Sequence, residues 1–131
     1  MIGFNHLGRH GRLGNQMFQY AGLRGIAAKH GYEFCIPASD FKDEWTDHQL
    51  FEAFKLTGLT NIATCPGPYV QEASFKFDQN LFDNMPDGHN VYAYLQSTKY
   101  FEHIEKEIRE DFQFKNNILD PCKQMVATVE K

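Results

Sequence analysis

A glycine-rich stretch near the start of the chain constrains the fold more than any other feature. Residues 8–14 contain three glycines spaced three apart, a pattern that breaks regular structure and favours a loop. The apolar residues 1–6 predict a first strand before this loop, and residues 15–30 after it carry apolar and small residues at helical spacing. The apolar residues 33–37 predict a second strand. Strand, glycine loop, helix and strand together form a βαβ unit, which predicts a parallel sheet.

The predicted helix over 15–30 contains two glycines of its own. Gly22 and Gly25 each cost a helix about 1 kcal/mol relative to alanine. We therefore expect this helix to pack closely onto the sheet, where a small residue is useful. Lys29 and His30, followed by Gly31, indicate its end.

The rest of the chain continues the alternation of strands and helices. Further strands are predicted over 69–78 and 91–96, and helices over 49–56, 98–111 and 121–130. Ser97 and Asp120 precede two of these helices as capping residues. The charged residues along 98–111 indicate a solvated face rather than an active site, since oppositely charged pairs four residues apart recur there. This alternation predicts an α/β fold with a Rossmann-like parallel sheet.

Charge and composition exclude several classes of protein. Of the 131 residues, 13 are Lys or Arg and 17 are Asp or Glu, a formal charge of −4, whereas nucleic-acid-binding domains are usually basic. Three cysteines without a CxxC pair, and six histidines without an HExxH pair, argue against a disulfide framework and a zinc site.

The sequence has no apolar run of about 18 residues and does not begin like a signal peptide. We expect a cytoplasmic protein, peripheral to a membrane at most, with no metal cofactor and no nucleic-acid partner. The aromatic content of 15% fits core packing better than a sugar-stacking surface.

The glycine loop carries the strongest chemical signal. Glycines let the backbone approach a ligand closely, and a helix N-terminus offers unpaired N–H groups and the positive end of the helix dipole to a phosphate. Arg12 adds a permanent charge in a planar fork, and Asn15 adds an amide at the helix mouth. The loop fits neither the Walker A pattern nor GxGxxG spacing. Two interpretations stay open: a pyrophosphate site, or a tight turn with Arg12 in solvent.

Two longer strings resemble motifs of one enzyme family. GRLGNQMFQYA, residues 11–21, resembles the opening motif GGLGNQLFQYA of glycosyltransferase family 11, the α-1,2-fucosyltransferases. Arg12 stands where that family usually has Gly. The related protein O-fucosyltransferases carry Arg at the same place. YLQSTKYFEHIEKEIREDFQF, residues 94–114, resembles the family's GYxQSxKYFxxIxxxIRxxFxF, and Ala93 replaces its usual Gly.

The resemblance implies a fold and a reaction. Family members have a GT-B architecture of two Rossmann-like halves, and they transfer L-fucose from GDP-fucose to a galactoside hydroxyl with inversion and without a metal. Residues 1–131 would be the N-terminal half, its partners a sugar nucleotide and a glycan acceptor. Gln96, Ser97 and Tyr100 would lie on the acceptor side, although they also suit a strand end and a helix cap. The residues near the donor pyrophosphate would be Gly11, Arg12, Leu13, Gly14, Asn15 and Gln16.

One departure from the family limits this assignment. The donor-binding signature HxRRxD does not occur in the sequence, although relatives carry it just after a helix like 121–130. We therefore expect an N-terminal half that lacks its C-terminal partner, either a truncated sequence or a gene remnant, with little activity alone. The alternatives are a non-catalytic carbohydrate- or nucleotide-binding module and a scaffold without a ligand. The general base stays unassigned, and the polar loop offers only weak candidates: Asp40, Asp43, Glu44 and Asp47.

Overall fold

A computed structural model describes residues 1–7, 13–37, 49–74 and 76–115. Several sequence-based predictions lie outside the described residues. They concern the helix over 121–130 and the residues Gly11, Arg12, Asp40, Asp43, Glu44, Asp47, Asp120 and Cys122.

The described residues form four short strands, four α-helices and two turns of 3₁₀-helix. Along the chain these are β1 (Ile2–Gly3), α1 (Leu13–His30), β2 (Phe34–Cys35), α2 (Gln49–Ala53), β3 (Tyr69–Gln71), α3 (Gln79–Asn84), β4 (Asn90–Tyr92), the 3₁₀ turns Thr98–Tyr100 and Glu102–Ile104, and α4 (Glu105–Asp111).

All four strands join one parallel sheet in the order β2-β1-β4-β3. Ile2 pairs with Phe34, Gly3 pairs with Asn90, and Val70 pairs with Val91. Both β1–α1–β2 and β3–α3–β4 connect neighbouring parallel strands through a helix. The predicted α/β class and parallel sheet are confirmed, and the assignment to a GT-B half stays a prediction.

The strands are shorter than the sequence predicts. The predictions over 1–6 and 33–37 each contain an observed strand of two residues. The prediction over 91–96 shares only Val91 and Tyr92 with β4, which begins one residue earlier, and the strand predicted over 69–78 ends at Gln71. Asp78 serves instead as the N-cap of α3, where its Oδ1 accepts a hydrogen bond from the N–H of Leu81 at 3.0 Å.

The single helix predicted over 98–111 is wrong in its first half. Ser97 caps a turn of 3₁₀-helix, Oγ to the N–H of Lys99 at 3.3 Å, and regular α-helix begins only at Glu105. The backbone leaves helical geometry at Phe101 and again at Ile104, with ψ of 5° and 34°. These breaks occur where the segment lies against α1, so tertiary packing overrides the helical pattern.

Gly22 and Gly25 permit this close approach. A Cβ on Gly22 would lie 2.8 Å from two Leu95 side-chain atoms, and a Cβ on Gly25 would overlap the carbonyl oxygen of Tyr100. His103 Nε2 also lies 2.9 Å from the carbonyl oxygen of Gly25. Gly22 and Gly25 therefore face the segment that follows β4. The expectation that they pack against the strands of the sheet is wrong.

One carboxylate of the charged helix is buried rather than solvated. Asp111, at the end of α4, is 1% exposed and forms an ion pair with Arg24 of α1. It also accepts hydrogen bonds from the hydroxyl of Tyr20 at 2.6 Å and from the backbone N–H of Gly58 at 2.7 Å. Glu105 and Arg109, one of the oppositely charged pairs that the sequence places four residues apart, do form an exposed ion pair. Asp111 thus ties α4 to α1 and to the segment after α2.

Shortly before β3, the chain passes over β1 and β4 at Cys65. Cys65 lies over Gly3, where an added Cβ would approach the Cys65 Cβ to 2.5 Å. Its backbone exchanges two hydrogen bonds of 2.8 Å with the side chain of Asn5, and its carbonyl accepts a third from Asn90. Both Cys35 and Cys65 are free thiols and buried. In the described ranges, no helix has the length and apolar character needed to cross a membrane.

Candidate functional site

Three connecting segments meet at the carboxyl edge of the sheet. Because the strands are parallel, the segments after β1, β3 and β4 all leave at this edge. Ligands of open α/β sheets bind in the crevice outside the carboxyl ends of the strands. This edge carries most of the site residues predicted from the sequence, at the start of α1 and in the loop after β4.

A side-chain hydrogen bond joins the two sequence motifs. Gln96 Nε2, in the loop after β4, donates to Asn15 Oδ1, in the first turn of α1, over 2.7 Å. The residues are 81 positions apart in the chain. This bond uses one polar atom of each side-chain amide. Among the described residues, the other two atoms, Asn15 Nδ2 and Gln96 Oε1, stay available to a ligand. The sequence predicted both residues but did not predict that they touch.

The other described residues of the glycine motif differ in their surroundings. Gly14 is exposed, with open space where a Cβ would stand. Leu13 packs against the core, and the Gln16 side chain is wholly buried. Leu13 and Gln16 are therefore placed to offer backbone N–H groups, not side chains, to a ligand at the helix mouth.

Ser97 and Tyr100 have structural partners at this edge. Ser97 caps the 3₁₀ turn Thr98–Tyr100, which agrees with its interpretation as a helix cap rather than an acceptor-side residue. Tyr100 is fully buried; its hydroxyl donates to Glu72 Oε2 at 2.6 Å and accepts from the backbone N–H of Asp78 at 2.8 Å. Burial and the bond to Glu72 raise the pKa of Tyr100, so this phenol stays a donor at neutral pH. Tyr100 therefore positions Glu72 and does not face a ligand itself.

Glu72 is the functional candidate that the sequence analysis missed. It follows β3 directly and is half-buried. Burial raises the pKa of its carboxyl above the ordinary value, although hydrogen bonds from Tyr100 and from the backbone of Leu95 and Tyr94 oppose that shift. A carboxylate with a raised pKa in a cleft has the properties of a general base. No local pattern marks Glu72, because its partners lie more than 20 residues away in the chain.

The loop that surrounds Glu72 holds an uncommon backbone conformation. Leu95 has φ of 54°, in the left-handed region, and its side chain is fully buried. A left-handed leucine costs roughly 1–2 kcal/mol. The N–H of Ser97 also donates to the carbonyl of Leu95 at 2.9 Å, which tightens the loop. This strained turn presents backbone N–H groups to Glu72 while Gln96 reaches Asn15.

A cleft of about 320 Å³ opens between the carboxyl ends of β3 and β4. Its walls are residues 71–74 and 92–94, so Glu72 and Tyr92 both line it. The volume falls in the range of small-molecule sites, about 300–1,000 Å³.

Aromatic rings cluster beside the cleft, on the sheet face opposite α1. The ring centroid of His6 lies 5.1 Å from those of both Tyr69 and Tyr92. Tyr69 is 50% exposed. The composition favoured core packing for the aromatic residues, and most of them do pack in the core, but this cluster offers ring surface to solvent.

Against protein-family models, curated proteins and solved structures, the chain gives no match. Within the described ranges, no three His, Cys, Asp or Glu side chains are grouped so that they could hold a metal ion.

Proposed function

We propose that this chain is the N-terminal, acceptor-side half of a fucosyltransferase that transfers L-fucose from GDP-fucose to a galactoside hydroxyl. The observation that carries the proposal is the hydrogen bond between Asn15 and Gln96. It brings the two strings that resemble family 11 motifs to one point, at the edge of the sheet where ligands of α/β proteins bind.

The start of α1 suits a pyrophosphate. The 18-residue helix directs its unpaired N–H groups and the positive end of its dipole toward the carboxyl edge. Arg12, which the sequence places directly before the helix, supplies a fixed cation for the same anion. As GDP departs, negative charge grows on its phosphate oxygens. Preorganised donors at that position stabilise the transition state more than the ground state.

Recognition of the nucleotide itself falls to a second domain in this proposal. The HxRRxD signature of the family does not occur in the 131 residues. We expect the chain by itself to bind GDP weakly and to transfer little or no fucose. Incubation with GDP-fucose and lactose, with release of GDP as the readout, measures this.

A non-catalytic module that binds a carbohydrate or a nucleotide is the second candidate. The missing HxRRxD signature favours it, since such a module keeps the glycine loop without the donor-binding residues. The two candidates differ in one respect: only the enzyme half supports transfer when a donor-binding domain is supplied.

Titration of the ¹⁵N-labelled chain with millimolar GDP tests the pyrophosphate site. The proposal expects amide shifts that centre on Gly14, Asn15 and Gln96, and expects Asn15→Ala to reduce them. Gln113→Ala is the matched control, because Gln113 is exposed and lies after α4, outside the site. Shifts that avoid the start of α1, or that persist unchanged in Asn15→Ala, contradict the proposal.

A further inference from the structure

Two cysteine side chains meet at Gly3 of β1. A Cβ built on Gly3 would lie 2.5 Å from the Cβ of Cys65 and 3.2 Å from the Sγ of Cys35. Both cysteines are free thiols, and Cys65 is 4% and Cys35 0% exposed. Because glycine has no side chain, no side chain of β1 separates the two thiols at this point.

The fold fixes the backbone on both sides of this pair. Cys35 pairs with Gly3 in the sheet, which holds it beside β1. Cys65 is held by two hydrogen bonds of 2.8 Å with the side chain of Asn5 and by a bond of 2.7 Å from Asn90 Nδ2 to its carbonyl. A disulfide places its Cβ atoms about 3.5–4.5 Å apart. The distances to the Gly3 position are of similar size, so a bond between the sulfurs requires rotation of side chains rather than refolding of the sheet.

The two thiols differ in access and in acidity. Cys65 lies in a connecting segment whose neighbours Thr64 and Pro66 are exposed, whereas Cys35 belongs to β2. Connecting segments open locally at a lower free energy than a sheet does. Burial raises the pKa of the Cys35 thiol, and the neighbouring Cys65 raises it further, so Cys35 stays protonated at neutral pH. A reagent in solution therefore reaches Cys65 first.

We propose that Cys65 and Cys35 form a reversible oxidation site that takes a small disulfide, such as oxidised glutathione, as its reactant. The Cys65 thiolate attacks one sulfur of that disulfide, forms a mixed disulfide and releases one glutathione. The Cys35 sulfur then loses its proton to solvent, attacks the sulfur of Cys65 and releases the second glutathione. The chain gives up two electrons and two protons, which reduce the oxidised glutathione to two thiols.

The new bond joins β2 to the segment that leads into β3. It closes a loop of roughly 30 residues, and the entropy that the unfolded chain loses predicts a Tm about 10 °C higher in the oxidised form. Because Glu72 follows β3 directly, the bond also restrains the part of the chain that enters the cleft.

Oxidation of the folded, reduced chain with millimolar oxidised glutathione tests the site. Trypsin places the three cysteines in separate peptides, so mass spectrometry identifies the partners of any bond. We expect a product lighter by two hydrogen atoms, with the peptides of Cys35 and Cys65 linked. Dithiothreitol should restore both the mass and the Tm of the reduced chain.

Two variants test the order of the steps. In Cys35→Ser the mixed disulfide has no second thiol to resolve it, so we expect glutathione to stay attached to Cys65. Cys122→Ser is the matched control, because it removes the third cysteine of the chain and leaves the pair intact. We expect this variant to form the Cys35–Cys65 bond at the rate of the parent.

The parent chain alone decides the outcome if Cys35→Ser unfolds, since its bonds are mapped without any variant. Oxidation in guanidinium shows that the reagent reacts with all three thiols once they are exposed. Three unmodified thiols in the folded chain, a glutathione adduct that does not proceed to an internal bond, or a bond that includes Cys122 would each overturn the proposal.

Discussion

Replacement of Gly25 by alanine is expected to destabilise the chain, although alanine favours helices. The added Cβ would overlap the carbonyl oxygen of Tyr100 and lie 2.8 Å from the Cα of Phe101. Ordinary contact begins at 3.4 Å, so Phe101 must retreat by about 0.6 Å and Tyr100 by more. Both obstacles are backbone atoms, which no rotamer change can move aside.

The magnitude follows from two opposing terms. Overpacking of this kind costs about 1–3 kcal/mol and more where backbone must shift, while alanine recovers about 1 kcal/mol of helix propensity. We expect a net loss near 2 kcal/mol in the free energy of unfolding. For a chain of this size that lowers Tm by about 6–12 °C, at roughly 3–6 °C per kcal/mol.

Thermal unfolding followed by circular dichroism measures the loss. Gly14→Ala is the control, because Gly14 lies in the same helix but has open space where its Cβ would stand. We expect the control to keep the parent Tm or to raise it slightly. An unchanged Tm in Gly25→Ala would refute the close packing of α1 against the segment after β4.

Three further perturbations probe the buried ion pair, the loop and the cleft. Asp111→Ala removes the shared partner of Tyr20 and Arg24 and should cost about 3–5 kcal/mol, measured by guanidinium unfolding; a loss below 1 kcal/mol would exclude a structural role for the pair. In an enzyme completed with a donor-binding domain, Arg12→Ala and Asn15→Ala should each slow transfer by roughly 100- to 1000-fold at unchanged Tm, and Arg12→Lys should recover only part of the Arg12→Ala loss. Because the folded-state pKa of Glu72 lies above its ordinary value of 4.5, Glu72 adds stability below that pH and loses it as pH rises through the folded pKa. The Tm of Glu72→Gln relative to the parent should therefore increase between acidic and neutral pH, and a difference that stays flat with pH would contradict the burial of this carboxyl.

Local signals in the sequence predict the parts of the fold that depend on neighbouring residues. The glycine loop and the helical spacing after it predict α1, whose observed end at His30 is followed by Gly31 with φ of 70°. The βαβ order predicts the parallel sheet. By contrast, the sequence analysis does not predict α3. This helix has six residues, of which only Leu81 is buried, so its apolar residues show almost no helical periodicity.

Long-range contacts determine the parts that the sequence did not predict. The break in the helix predicted over 98–111 depends on Gly25, more than 70 residues earlier in the chain. Glu72 acquires its surroundings from Tyr100 and Leu95, and Asp111 from Tyr20 and Arg24. Within the candidate site, Asn15 and Gln96 were predicted singly from their motifs, and only the fold brings them together.

Fucosyl transfer by a completed enzyme tests whether this chain is the acceptor-side half of a fucosyltransferase. The chain is joined to an HxRRxD-bearing C-terminal half of a family 11 fucosyltransferase, and GDP release from GDP-fucose is measured with and without lactose. We expect lactose-dependent release of GDP with an α-1,2-linked product, and we expect this release to be lost in Asn15→Ala but not in Gln113→Ala. A hybrid that binds GDP-fucose and releases no GDP in the presence of lactose would contradict it.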